Sequence, residues 1–268
     1  MPLRKHRLAE LTGGEMRQVA ARRPVILLPL GSHEDQGPHA PMGDYLSAVR
    51  IAELIAERAT DAGTETLVAP AVPFGCDDYF GASPGGISLA PATFHAVVHD
   101  ILHSLVRHGL RRLIVINGHA GNVPVVHEVA AELFRSQQVL VPSLYLWRIG
   151  YGLLPGIVGA AQAKASSGHG ADPLSSIAMH LFPELMRPDM VPSPIPQPEV
   201  LGLPPASFGT VVFEGVEVHV PLEYAAFTPN AVLGGDPRLS STETGAALVE
   251  QLTAVGARFV AHYARHAG

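Results

Sequence analysis

The feature that most constrains this chain is an apolar run, Val25 to Leu30, which breaks abruptly into a polar loop ending at Asp44. The run is short and continuous rather than alternating, as expected of a strand buried on both faces. From Tyr45 the apolar residues Leu46, Val49, Ile51, Leu54 and Ile55 follow at the spacing of a helix that rests one face on a sheet. Strand, loop and helix in that order put the loop outside the carboxyl end of a strand, where open α/β sheets hold their sites. The loop carries Glu34, Asp35 and Asp44 together with His33 and His39. Carboxylates and imidazoles are donors for a divalent metal. The plainer reading makes Asp44 a helix cap and the histidines solvated loop residues.

The same unit recurs. Residues 65–70 and 112–117 read as further buried strands, and residues 139–146 as a fourth. Pro91 opens a helix that Gly109 is placed to end, and another runs from Pro124 to about Arg135. Such alternation with short connections predicts an α/β fold, a three-layer α/β/α sandwich with a mostly parallel central sheet. Residues 147–170 are rich in small side chains and read as irregular, and residues 173–186 as a helix. Residues 187–209 hold seven prolines and cannot be regular structure. Residues 210–220 suggest a hairpin, and a last helix starts at Thr242. The expectation is one domain over residues 1–268, its proline-rich arm at about 187–209 lying along a neighbouring subunit of a homo-oligomer.

With 47% apolar residues in 268, the chain can bury a substantial core. A net charge of −6 without a basic run argues against nucleic acid as a ligand. The single cysteine, Cys76, excludes an intrachain disulfide and suits a reducing cytoplasm. No stretch approaches the length of a membrane span, and no hydrophobic signal core opens the sequence. A soluble cytoplasmic protein is expected.

The third strand ends in Asn117-Gly118-His119-Ala120-Gly121-Asn122. In a parallel sheet that loop shares an edge with the first, so Glu34, Asp44 and His119 can converge, and residues 166–172 can close over them. Two carboxylates and an imidazole suit Zn²⁺, Mn²⁺ or Fe²⁺, which acidify water and polarise carbonyls. His103, His108, His127 and His180 fall within helical patterns and read as surface or packing residues. Tyr79, Phe80 and Trp147 are candidates for a pocket wall or for packing, and Asp77 and Asp78 for a loop face or substrate contacts.

At these residues the chain resembles the creatininase (creatinine amidohydrolase, formamide hydrolase) family. The run Gly31 to Asp44 is similar to the family's Gly-Ser-x-Glu-x-His-Gly-Pro-His-x-Pro-x-Gly-x-Asp, and Asn117 to Asn122 to its Asn-Gly-His-x-x-Asn. Pro84-Gly85-Gly86-Ile87-Ser88-Leu89 and Gly235-Asp236-Pro237 resemble later family motifs. The resemblance implies hydrolysis of a non-peptide or unusual amide bond at a metal centre in an oligomer, often a hexamer. It implies Glu34, Asp44 and His119 as metal ligands, Glu34 also in a catalytic role, and His169 as the residue that moves the proton. Gln36 and Asp172 are further candidates for the metal.

This sequence also departs from the pattern. Gln36 stands where the family has a ligating histidine, Gly121 where creatininase proper has a glutamate, and Leu174 where a later glutamate is usual. The loop to Asp44 is one residue shorter than the common form. These departures point to one ion per chain and away from creatinine as substrate. The expected function is metal-dependent hydrolysis of a small polar cyclic or N-acyl compound: an amide, lactam, formamide or cyclic ketone. The competing expectation is a non-catalytic metabolite-binding protein with a degraded metal site. Peptidase action on a modified peptide, also found in the family, is a third.

Overall fold

Strand β1 (Val25–Leu30) is buried along its whole length, and its alternating side chains divide the interior in two. In the computed structural model, which describes residues 5–76, 83–196, 198–205, 209–220, 228 and 230–267, β1 pairs in parallel with β2 (Thr66–Val68) and with β3 (Leu113–Asn117). Strand β4 (Ser143–Tyr145) adds to the far side of β3, giving the order β2-β1-β3-β4. Pro29 interrupts β1 at no cost to the ladder. The N–H groups of Val25 and Gly31 point to the β2 side, and β2 has ended before Pro29 needs a partner there.

Val25 and Leu27 join Ile114 and Ile116 in one apolar cluster, and Ile26, Leu28 and Leu30 join Leu113 and Val115 in the other. Helices α2 (Asp44–Asp61), α5 (Leu146–Val158), α6 (Ala160–Ser166), α7 (Leu174–Leu181) and α8 (Thr242–His266) cover the first face. Helices α1 (Gly13–Ala21), α3 (Pro91–Arg107) and α4 (Asn122–Gln137) cover the second. This is the expected α/β/α sandwich on a parallel sheet. Because every strand of the sheet runs the same way, the segments after Leu30, Asn117 and Tyr145 emerge at one edge.

Four expectations need correction. Residues 147–170 are not irregular, since α5 and α6 occupy nearly all of them. The helical spacing was present in Leu146, Gly150 and Leu154, all buried, but Gly150, Gly152, Pro155 and Gly156 diluted it. The helix expected over 173–186 stops at Leu181, just before Pro183. Strand β4 is shorter than expected: Val139 and Val141 are buried without belonging to it. Helix α1 was not foreseen, although Thr12 and Glu15 form a reciprocal capping box at its start.

The hairpin forms as β5 (Thr210–Phe213) and β6 (Val216–His219). Among the described residues of 187–209 the longest helical element is a single 3₁₀ turn, Pro188–Met190, as the prolines require. Asp77, Asp78, Tyr79 and Phe80 lie outside the described residues.

Candidate metal centre

Helix α2 begins at Asp44 directly above the end of β1. Gly31 permits this approach, since a Cβ there would run into the Tyr45 backbone and the Asp44 carboxylate. Ser32 N–H donates to Asp44 Oδ1 at 2.6 Å. Asp44 is not a cap: Gly43 holds that position, without a side-chain bond. One oxygen of Asp44 is thus fixed by the backbone and the other, Oδ2, faces inward.

His119 is oriented from both sides of its ring. Its backbone N–H donates to Asn117 Oδ1 at 3.1 Å, while Asn117 Nδ2 donates to the His119 carbonyl at 2.7 Å. Asn122 Nδ2 reaches Gly31 O at 3.1 Å and Asn117 Oδ1 at 3.2 Å, joining the β3 loop to the β1 loop. The Trp147 indole donates to Gly118 O. His119 Nε2 lies 2.9 Å from the Cys76 carbonyl, which can only accept, so Nε2 carries a proton. In the neutral ring the lone pair is then on Nδ1, 3.1 Å from Asp44 Oδ2 and 3.3 Å from Glu34 Oε1. A ring nitrogen presented this way, with its other N–H held by a carbonyl, is the usual arrangement of a metal-binding histidine.

Glu34, Asp44 and His119 are all buried, and their ligand atoms lie within 4.8 Å of one another. Glu34 Oε2 is buried with no hydrogen-bond partner among the described residues. Burial pushes the His119 pKa down, but the facing carboxylates of Glu34 and Asp44 override it and hold the imidazole well above its ordinary value. Burial raises Glu34, and the charges and hydrogen bonds of His119 and His169 bring it below the usual carboxylate range. Burial, reinforced by the charge of Glu34, pushes Asp44 up against the pull of His119. A proton on Nδ1 therefore sits where a cation would bind, and the residues present fit a divalent ion.

His169 completes the cluster. Its Nε2 stands 3.3 Å from Glu34 Oε1, and its Nδ1 donates to the Ala231 carbonyl at 2.6 Å. Gly168 brings the segment close: a Cβ there would overlap the backbone of Leu233 and Gly235. His169 does not cap the following helix, since α7 starts at Leu174 without a side-chain cap. Gln36 Nε2 donates to Glu34 Oε1 at 2.9 Å, so the residue in the expected ligating position is bonded to a ligand. Asp172 is fully buried, takes the Ser176 hydroxyl on Oδ1, and stands apart from the three converging groups. His33 pairs with Ile87 in a β-bridge outside the cluster.

Glu34, Gln36, Asp44, His119 and His169 open onto a narrow cleft walled by Tyr145, Trp147 and Tyr151. Burial, with Asp172 nearby, pushes the Tyr151 phenol up to about 12, so it serves the cleft as a donor. Of these aromatics the sequence suggested only Trp147. Tyr145 and Tyr151 carry no motif, and Asn117 and Asn122 were legible as motif letters without a role.

His39 is buried outside the cleft, its Nε2 3.1 Å from Ser175 Oγ, which itself donates to Gly170 O. His39 is therefore neither solvated nor a donor to the cluster, but a structural hydrogen-bond partner of the buried loop. Burial holds its pKa below the ordinary value, despite the bond from the Gly170 side. The unfolded chain binds this proton at about pH 6.5 and the folded chain resists it. His39 thus contributes stability that is complete above that pH and fades as pH falls below it. Thermal melts of His39→Gln against the parent between pH 8 and 5 should show the parent losing more stability on acidification. Parallel pH curves would contradict this.

An α/β/α sandwich with two carboxylates and an imidazole converging beyond the strand ends defines a metal-binding α/β protein. The profile of the Creatininase family, described as creatinine amidohydrolase, matches residues 9–260. The chain belongs to the creatininase family. It is 30% identical to the creatinine amidohydrolase of Pseudomonas putida over 220 residues, 74% of this chain and 82% of that protein. It is also 30% identical to the mycofactocin precursor peptide peptidase of Mycolicibacterium smegmatis over 119 residues, spanning 44% of this chain and about half, 48%, of that one. A mutant creatininase of Zn-Zn type superposes with a TM-score of 0.75 at 26% identity, covering 96% of this chain and 97% of that one.

Proposed function

We propose that this protein is a metal-dependent hydrolase acting on a small polar cyclic or N-acyl compound, an amide, lactam, formamide or cyclic ketone, and not on creatinine. The observation that carries this reading is the convergence of Glu34, Asp44, His119 and His169 on one cleft. Glu34, Asp44 and His119 would hold one zinc, manganese or iron ion per chain. Bound there, such an ion supplies Lewis acidity toward a carbonyl oxygen and toward water. His169 takes and returns the proton at Nε2, the nitrogen that faces Glu34 Oε1 while Nδ1 donates to Ala231. Glu34 orients that ring through Oε1. Tyr145, Trp147 and Tyr151 offer apolar ring faces to a compact substrate.

Gln36 and Gly121 underlie both the single ion and the exclusion of creatinine, because neither supplies an anionic or imidazole donor for a second ion. Elemental analysis of protein purified without chelator should find about one tightly held equivalent per chain. Turnover of formamide, lactam or cyclic-ketone probes should vanish on chelation and return with zinc or manganese. Hydrolysis that survives complete metal removal would overturn the reading, and so would an absence of tight binding.

The reading extends to one domain that works as a cytoplasmic homo-oligomer. In the proline-rich arm Met190, Ile195 and Leu201 stand exposed at 44%, 43% and 83%. Apolar side chains on a segment without regular structure are suited to a subunit contact. Light scattering should report a multimer, and a stable monomer would count against the arm's role.

A further inference from the structure

A second group of metal donors lies where α3 packs against α4, on the sheet face opposite α2, α5 and α8. His95 of α3 and Glu128 and Glu132 of α4 place ligand atoms within 4.8 Å of one another. His95 Nε2 is 3.4 Å from Glu132 Oε2, the two side chains 28% and 37% exposed. Glu128 and Glu132 are four residues apart on one helix face. On α3 the same spacing repeats as His95, His99 and His103, the ring of His99 lying parallel to that of His95 at 6.3 Å. The Nδ1 of His99 is 3.1 Å from Asp100 Oδ1. A carboxylate accepts there, so the neutral ring leaves its Nε2 lone pair available, the pattern that prepares histidines for metal.

We infer that this cluster is a surface site for a first-row divalent cation, with His95, Glu128 and Glu132 as ligands and His99 one helical turn away as the nearest further donor. One imidazole and two carboxylates suit zinc and its neighbours. The site differs from the central one in its exposure. Its carboxylates are screened by solvent and salt, and the ion keeps bound water, so it fills after the buried site. The donors come from two helices and meet only in the folded chain, so occupancy clips α3 to α4 and stabilises the native state. Without an ion, the same residues form only an exposed histidine–carboxylate contact of little weight.

The full chain is dialysed against graded zinc at neutral pH, and bound metal is counted beside the thermal midpoint. The unaltered protein should take up zinc in a tight step and then a weaker one, the weaker step raising the midpoint. His95→Asn and Glu132→Gln should each lose one weak equivalent and its thermal shift. His262→Asn should retain both, since it breaks a stacked pair, His262 and His266, that belongs to neither donor cluster. Retention of the weak equivalent by His95→Asn or Glu132→Gln would overturn the site. Its loss from His262→Asn as well would also overturn it, as general binding to surface imidazoles. Failure of the tight step alone would bear on the central centre and leave this count unaffected.

Discussion

Replacing His119 with alanine should strip the tightly held ion from the protein and abolish turnover with it. His119 is the imidazole of the donor set, and its Nδ1 faces both carboxylates. Losing even an outer partner of a metal ligand costs about 10–100-fold in affinity, and losing the ligand itself costs more. The variant should also be less stable than the metal-free parent, which makes the two consequences separable. In the parent, stripped of metal, an imidazolium still stands between Glu34 and Asp44. In the variant two buried carboxylates face each other uncompensated, and breaking a buried ion pair costs about 3–5 kcal/mol. For chains of this size class each kcal/mol moves the thermal midpoint by roughly 2–4 °C. Elemental analysis and melting curves of the variant, beside chelator-treated parent, check both parts. A variant that kept its full metal complement would remove His119 from the ligand set.

Strands β1, β2 and β3 were legible because they are buried along their whole length and therefore written as short apolar runs. Two of them, β1 and β3, end in loops dense with motif residues, and parallel topology alone brings Glu34, Asp44 and His119 to one edge. What the sequence left unreadable were features created by packing. Helix α5 buries Leu146, Trp147, Gly150 and Leu154, but its glycines and proline masked the period, and Tyr151, which it brings to the cleft beside Trp147, went unread with it. The supporting contacts were hidden for another reason. Cys76 O, Ser32 N–H and Ala231 O act through the backbone, so no side-chain pattern announces that they fix the rings of His119 and His169 or the carboxylate of Asp44. Asp172 illustrates the opposite error. Being the carboxylate nearest Leu174, which stands where the family has a glutamate, made it a candidate, whereas its carboxylate takes the Ser176 hydroxyl and stays buried apart from the cluster.

His169→Ala should slow turnover by about 10²–10⁴-fold while the ion stays bound, the loss typical of a missing general acid–base group. The geometry separates His169 from the ligands. Its Nδ1 is committed to Ala231 O, its Nε2 approaches Glu34 Oε1, and it lies outside the group whose ligand atoms converge. Removing it therefore leaves all three ligand side chains in place. The competing role is structural: the bond to Ala231 ties the loop that carries Val232 and Leu233 against Gly168 and Gly170. A purely structural loss would appear as lower stability, about 1 kcal/mol for one hydrogen bond, with turnover little changed. A proton-transfer loss would instead remove one limb of the pH–rate profile, and added imidazole would restore part of the rate. The decisive measurement is turnover across pH for protein with confirmed metal content, alongside its melting curve. Full activity with one equivalent of metal would sink the assignment, and the proton would then have to move through Glu34 alone.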